Sequence, residues 1–290
     1  MENIKAYSDI VVKYLLGREE TKDILISFIN AVMEDSGLDL ISSVELKNPF
    51  NIQDFTEDKL SILDVKAIDE TGKTIDIEIQ SRGDMSFANR SLYYWSKLYT
   101  SQIAESETYK RLKPVCCINL LNFRLLEDIE KFHSCYVLKE KDEPDKILTD
   151  HLILHFIELP KVGKNMVKTS LEMWSQYFIN EGGDNNIMKT LLKDEPIIEK
   201  VHNEFKKFTA DEHLREIYES RLKAKRDHAY FMEVAREEGL KEGLKEGLKE
   251  GLEQAVIETA QKMLADGLAV EVISKYTGLS VEKINSLKLK

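Results

Sequence analysis

The sequence predicts an α/β domain that closes near Lys161 and is followed by an all-helical tail. Three observations predict it. Segments of helical and strand period alternate as far as Leu159, and strand patterns stop after Val167. Further on, a four-residue repeat, Glu-Gly-Leu-Lys, recurs with glycines at positions 239, 243, 247 and 251.

From Asp9 to about Asp35, Ile10, Tyr14, Leu15, Ile24, Leu25, Phe28, Ile29 and Val32 fall near helical spacing. Gly17 divides this helix in two, and Ser8 or Asp9 can cap the first piece. A short extended piece runs from Val44 to Phe50 and contains Pro49. Two strand patterns follow, Leu60 to Ile68 and Thr74 to Gln80, joined by the turn residues Glu70-Thr71-Gly72. Phe87 to about Tyr109 reads as an aromatic-rich helix. Pro114 to Leu121 is a nearly continuous apolar run, the mark of a strand buried on both faces. Cys135–Leu138 and Leu152–Leu159 are further strands.

The chain thus divides into an α/β domain over 1–165, a helical region over 166–236 with polar breaks such as Gly182-Gly183-Asp184, the repeat helix over 237–254, and a small element over 255–290. In that last element a helix reaches about Ala265, Gly267 breaks it, and a second helix ends at Tyr276. A Thr277-Gly278-Leu279 turn and a final helix capped by Ser280 follow. This order resembles two helices of a helix-turn-helix, with Lys283, Lys288 and Lys290 as a weak basic signal. A small packing element gives the same pattern.

With 42% hydrophobic and 32% charged residues of mixed sign, the chain can build a core. The formal net charge of −11 argues against a broad nucleic-acid surface, because phosphate repels it. A local basic surface, or carboxylates masked by metal ions, escapes that argument. Cys116, Cys117 and Cys135, odd in number and without a CxxC, read as reduced core thiols. The start MENIKAYSD has no secretory pattern and no run approaches 18 apolar residues, so a cytoplasmic protein without a membrane span is expected.

The chemistry concentrates in the hairpin. In the second strand, period two places Asp76, Glu78 and Gln80 on one face and the three isoleucines on the other, as in any half-exposed strand. The first strand changes the reading, because Asp64 interrupts an apolar run. With a three-residue turn at Glu70, Thr71 and Gly72, Asp64 faces Glu78, Lys66 faces Asp76 and Ile62 faces Gln80. Carboxylates directly opposed repel, so a shared proton or a divalent cation should offset the repulsion. Mg²⁺ takes one or two carboxylates together with water and phosphate oxygens, a set suited to phosphodiester hydrolysis.

Asp64 followed by Glu78-Ile79-Gln80 resembles the D…(D/E)-x-K core of the PD-(D/E)XK nucleases. More narrowly, the chain resembles the Rpn family of recombination-promoting nucleases, also described as transposases. The stretches that carry this are Asp9-Ile10-Val11-Val12-Lys13-Tyr14-Leu15-Leu16-Gly17, Leu63-Asp64-Val65-Lys66-Ala67, Ile77-Glu78-Ile79-Gln80, Arg90 with Tyr93-Tyr94, Tyr109-Lys110-Arg111-Leu112-Lys113-Pro114, and Ile157-Glu158-Leu159-Pro160-Lys161. The resemblance implies a restriction-endonuclease-like mixed sheet flanked by helices, Mg²⁺- or Mn²⁺-dependent cleavage of DNA, and a role in recombination, mobile elements or defence. It makes Asp64 and Glu78 metal ligands and places Gln80 where the wider superfamily has lysine. A neutral amide orients water but is neither base nor cation, so Lys66, on the same face, is the candidate source of charge.

Arg90 reads as a phosphate contact or a surface arginine, and Lys13 as a second DNA contact or the partner of Asp9 one helical turn away. Tyr93, Tyr94, Trp95 and Tyr99 stack on bases or pack the core; consecutive positions on a helix point apart, so packing is the reading for most. His151 and His155 share a strand face without a zinc pattern. In the repeat, Leu240, Leu244, Leu248 and Leu252 form a ridge beside a glycine groove, suited to self-association in a homo-oligomer or simply to a solvated helix. The rival to an enzyme is a catalytically weak nucleic-acid-binding or assembly module on a nuclease fold.

Overall fold

A computed structural model describes residues 4–50, 64–81, 83, 86–163, 167–181 and 186–287. The expected start of the first hairpin strand at Leu60, the Ile62–Gln80 pairing, the Gly182-Gly183-Asp184 break and Lys288 and Lys290 lie outside those residues.

Six strands form one mixed sheet: β1 (Val44–Leu46), β2 (Val65–Asp69), β3 (Thr74–Gln80), β4 (Val115–Leu121), β5 (His133–Lys139) and β6 (Ile147–Glu158). Their order is β1-β2-β3-β4-β6-β5; β3/β4 and β4/β6 are parallel, and the other pairs are antiparallel. Every residue of β4 is buried, as its unbroken apolar run requires of a strand covered on both faces. β5 and β6 extend further than their apolar centres suggest, because hydrogen bonding continues into polar residues at the sheet's edge.

The helices are α1 (Asp9–Leu16), α2 (Lys22–Asp35), α3 (Phe87–Thr100), α4 (Ser170–Asn180), α5 (Asn186–Asp194), α6 (Pro196–Ala210), α7 (Glu212–Ala265), α8 (Val270–Thr277) and α9 (Val281–Leu287). Gly17 ends α1 and a 3₁₀ turn separates it from α2. α3 stops at Thr100, short of Tyr109; the chain turns away, with Ser106 at φ 74°.

Helices cover the two faces of the sheet differently. α3 packs on β4 and β6, where Phe87, Val115, Cys117, Leu121, Leu154 and Phe156 form one core cluster with Trp95, Leu98 and Tyr99 against it. On the opposite face, Ile77, Ile118 and His155 stand in one register row, and Ser36 at the end of α2 reaches His155. α4 and α6 pack on α2, and α6 also packs on α1. Arg18 and Lys207 both pair with the carboxylate of Glu204, which fixes α6 to the end of α1. This second helical layer is why the compact unit extends to Arg221, beyond the boundary near 165 that the end of the strand patterns suggests.

His151 and His155 find different partners: His151 Nδ1 lies 2.8 Å from Tyr99 Oη, and His155 Nδ1 3.0 Å from His133 Nε2. Burial pushes the His155 imidazole down to about 3, and it holds His133 below its usual range against the pull of Asp35. The three cysteines are free.

The second unit, Leu222–Lys290, has its own small core: Ala260 of α7, Ile273 of α8 and Ile284 of α9 are fully buried among Met263, Leu264, Val270, Leu279 and Leu287. Gly267 and Gly278, at φ 80° and 74°, make its turns, and Ser280 Oγ accepts from the Lys283 amide at 3.2 Å. The repeat is helical throughout, and its leucines are 62–74% exposed. No described helix is long and apolar enough to cross a membrane.

The Glu158-Leu159-Pro160-Lys161 stretch is a buried staple. Lys161 Nζ donates to Glu158 Oε2 (2.7 Å), Leu126 O (2.5 Å) and Ile129 O (2.6 Å), and Glu158 Oε1 accepts from the Leu125 amide at 2.5 Å. Both charged side chains are at most 2% exposed, and together they tie the loop after β4 to the end of β6. Removing one partner of such a pair strands the other, so Glu158→Ala should lower the unfolding free energy by about 3–5 kcal/mol. Denaturant titration checks this; a loss under about 1 kcal/mol would mean that Lys161 re-pairs with water.

Candidate active site

The hairpin closes as a three-residue turn. Lys66 pairs with Asp76 and Val65 with Ile77, and Asp69 meets Lys73 across Glu70, Thr71 and Gly72. Asp69 Oδ1 accepts from the Thr71 and Lys73 amides at 2.9 Å each, and Gly72 takes φ 88°, a conformation that only glycine adopts freely. The turn therefore locks the register, and one step beyond Val65–Ile77 brings Asp64 opposite Glu78. Because paired residues share a face, Asp64, Lys66, Asp76, Glu78 and Gln80 all belong to the face on which α3 packs. α3 lies over β4 and β6 and leaves the β2–β3 part of that face to a cleft of about 740 Å³. These five residues line it with Arg90, Tyr94, Lys97 and Leu98 of α3, Ser101 at its C-cap, Ile79 of β3, Asp9 and Arg221.

Asp64 and Asp76 are 9% and 6% exposed. Lys66 Nζ lies 2.8 Å from Asp64 Oδ2, while Asp64 Oδ1 and Asp76 Oδ1 are sealed from solvent with no hydrogen-bond partner among the described residues. Burial, and then the neighbouring charge of Asp64, push the Asp76 carboxyl up to about 8. Burial alone would lower the pKa of Lys66, but the hydrogen bond and charge of Asp64, with Asp76 behind it, leave it raised. Lys66 is thus a fixed cation and no general base. Glu78 Oε1 accepts from Gln80 Nε2 and from Arg90 Nη2, each at 2.7 Å.

Lys13, expected at the phosphates, is placed elsewhere. It is 3% exposed, and its ammonium donates to the carbonyls of Asn48 (2.5 Å) and Asp64 (2.6 Å). Asn48 completes the clamp: its Nδ2 donates to Asp64 O at 3.1 Å and its Oδ1 accepts from the Lys66 amide at 2.7 Å. A Cβ on Gly17 would lie 3.1 Å from Lys13 Cδ and 2.6 Å from Lys13 O, so glycine there leaves the lysine its path. Lys13 supports the backbone that carries Asp64. Asp9 also approaches Arg221, at 3.8 Å.

Among the aromatics of α3, Trp95 and Tyr99 stack on each other against the core, and Trp95 Nε1 donates to Val115 O at 3.0 Å. Tyr93 and Tyr94 are exposed instead. Asp76 and Asn48 are the site residues that the sequence reading did not single out. Period two already placed Asp76 on the right face, and only its burial separates it from a surface carboxylate.

The proton on Asp76 has a thermodynamic consequence. Between about pH 4 and about pH 8 the native state, without divalent cations, retains a proton that the unfolded chain releases, so this group's contribution to stability falls as pH rises. Asp76→Asn removes that dependence. In EDTA at pH 8 the variant should be at least about 1 kcal/mol more stable than the parent, a midpoint about 2–4 °C higher for a unit of this size. At pH 5 the difference should shrink, and thermal denaturation at the two pH values checks it; a variant destabilised equally at both would show that the carboxyl is not held protonated.

Residues 6–235 match the PD-(D/E)XK nuclease family transposase, and residues 253–289 match the C-terminal HTH domain of the Rpn/YhgA-like nuclease family. No curated protein and no solved structure matches the chain. With most of its length covered, six mixed strands flanked by helices, and the Asp64…Glu78-Ile79-Gln80 hairpin at the head of a cleft, the chain belongs to the PD-(D/E)XK nuclease family transposases.

Proposed function

We propose that this chain is a Mg²⁺-dependent DNA endonuclease that hydrolyses phosphodiester bonds, with Mn²⁺ as an alternative ion. The observation that carries the reading is the carboxylate hairpin: Asp64 and Glu78 opposed across the two strands, with Asp76 buried two residues from Glu78 on β3, and Asp64 Oδ1 and Asp76 Oδ1 with no hydrogen-bond partner other than each other's carboxyl group among the described residues. Hard oxygen donors left unpartnered in a cleft fit a hard divalent cation. Among the described residues no set of three His, Cys, Asp or Glu side chains makes a full protein cage. Mg²⁺ needs none, since it keeps waters and takes phosphate oxygens. Asp64 and Glu78 would hold the ion, with Asp76 beside them; bound there, it supplies Lewis-acid charge and a water of lowered pKa.

The chain's own residues supply the rest. Gln80 donates its amide N–H to Glu78, which leaves its Oε1 as the acceptor that orients an attacking water. Lys66, held protonated, provides the positive charge that a lysine at position 80 would provide, and Arg90 at the rim is placed to meet a substrate phosphate. With Asp76 protonated, the cleft sets Asp9, Asp64 and Glu78 against Lys66, Arg90, Lys97 and Arg221, so it is net positive despite the overall charge of −11, and a divalent cation would add to that. In cells this activity would serve recombination, mobile elements or defence, with the C-terminal HTH domain contributing DNA contacts.

The second reading, a weakly catalytic binding or assembly module, is favoured by Gln80 and the acidic balance. Plasmid nicking with Mg²⁺, with EDTA and with Asp64→Ala decides between them. Metal-dependent nicking should fall more than about a hundredfold in the variant, whose circular dichroism stays unchanged. Equal cutting by variant and parent would reject the assignment, and tight DNA binding without cleavage across several divalent ions would select the second reading.

The exposed ridge of Leu240, Leu244, Leu248 and Leu252 beside unobstructed glycines supports a homo-oligomer formed through the repeat helix. Deleting residues 237–254 should lower the mass found by sedimentation, and an unchanged mass would end the idea.

A further inference from the structure

α3 carries Arg90, Tyr94 and Lys97 at spacings of four and three residues, which is one stripe of a helix; Ser101 at its C-cap continues the row, and all four line the cleft that holds the carboxylates. Beside the stripe stands Tyr93. The two tyrosines are 54% and 41% exposed, with ring centroids 5.8 Å apart in an edge-to-face arrangement. Each sits under a cation: Arg90 Cζ is 5.5 Å from the Tyr94 ring, and Lys97 Nζ is 5.0 Å from that of Tyr93. The other large aromatics of this helix are taken up by the core, so Tyr93 and Tyr94 are the rings that it exposes, and their contacts with each other and with the cations set their orientations.

We infer that this stripe is a stacking platform for an unpaired nucleic-acid strand, which makes single-stranded or locally melted DNA the substrate class of the nuclease proposed above. The inference rests on that reading for the chemistry, though not for the binding. A paired duplex keeps its bases stacked inside and offers only phosphates at its surface, so two exposed tyrosines would find no base face there. It is also held chiefly through its phosphates by a broad basic footprint, which a net charge of −11 disfavours. An unpaired strand needs a narrow cationic track with aromatic faces interleaved in it, and α3 alternates the two. From Arg90 to Thr100 the helix rises about 15 Å at about 1.5 Å per residue, the span of about four bases at about 3.4 Å each. The stripe begins at Arg90, which touches Glu78, so a strand laid along it runs up to the carboxylate hairpin.

The test is competitive fluorescence anisotropy with the full chain in EDTA at low salt, using a labelled thymidine oligonucleotide and a hairpin duplex of equal nucleotide count. The single strand should bind tighter than the duplex. Tyr94→Ala should weaken the single strand about tenfold, which is about 1.4 kcal/mol, and leave the duplex unchanged. Tyr94→Phe, which keeps the ring, should restore the affinity, an outcome that a merely structural role for the hydroxyl would not give. Equal or tighter duplex binding, or a Tyr94→Ala affinity equal to the parent's, would overturn the inference. Because no cleavage is read, this result is separate from the nicking assay: a binding pattern as expected with no metal-dependent nicking would remove the nuclease and keep the platform.

Discussion

The burial of two neighbouring carboxyl groups is the constraint around which the rest of the unit is arranged. Asp64 and Asp76 lie side by side at the end of a hairpin, nearly sealed from water, with one ammonium between them and solvent. Left alone, such a pair would twist apart or slip the register by one residue, which would send Asp64 into the apolar face. Three features prevent that. The Asp69 side chain and Gly72 lock the turn; Ile75, Ile77 and Ile79 are buried on the opposite face, each contributing about 1.5–3 kcal/mol; and Lys13 with Asn48 grips the Asp64 backbone from α1. The repulsion is held in the folded state by groups that do not themselves meet the substrate, a known way for a protein to store an unfavourable arrangement where chemistry is to occur.

The sheet order explains why this pair faces a cleft. β3 is an interior strand, so both of its faces would ordinarily be covered. α3 follows β3 directly and settles over β4 and β6 with Trp95, Leu98 and Tyr99 inward, which leaves the polar half of the hairpin open. The helix's outward residues then form the opposite wall. One element both excludes water from the core and frames the site, so core packing on its inner side sets the positions of Arg90 and Tyr94 on its outer side.

Much of this was legible in the sequence, for reasons of geometry. The hairpin register follows from a turn of three residues and a period of two, both local, and the buried β4 follows from an apolar run too short for a helix. What was not legible depends on contacts between distant residues. Lys13 looks like half of an i,i+4 ion pair, and nothing near it in the chain reveals that Asp64, 51 residues on, brings it a carbonyl. Asp76 has the pattern of a surface carboxylate, because alternation gives the face and says nothing of its depth. The residues from 166 to 221 read as an appended helical region, yet α4 and α6 complete the cover of α1 and α2, and periodicity cannot say which of two amphipathic helices finds the other.

Gln80 gains its meaning from the same geometry. A lysine at that position would bring positive charge to the end of β3 on its own strand. Here the charge arrives from the neighbouring strand, because cross-strand pairing sets Lys66 directly opposite Asp76 and its ammonium on Asp64. Position 66 is paired with Asp76, four residues before Gln80 on β3, and it is the reach of the Lys66 side chain to Asp64, opposite Glu78, that brings its charge toward the same end of the face. The two arrangements differ in chemistry. A lysine whose ammonium is already bound to a carboxylate keeps its proton, so it can offset the charge of a phosphate but cannot deprotonate water. The amide of Gln80 supplies direction without charge, and Lys66 supplies charge without basicity. On the proposed reading, activation of the nucleophile would therefore fall to an ion held by Asp64 and Glu78, with the buried carboxyl of Asp76 beside it.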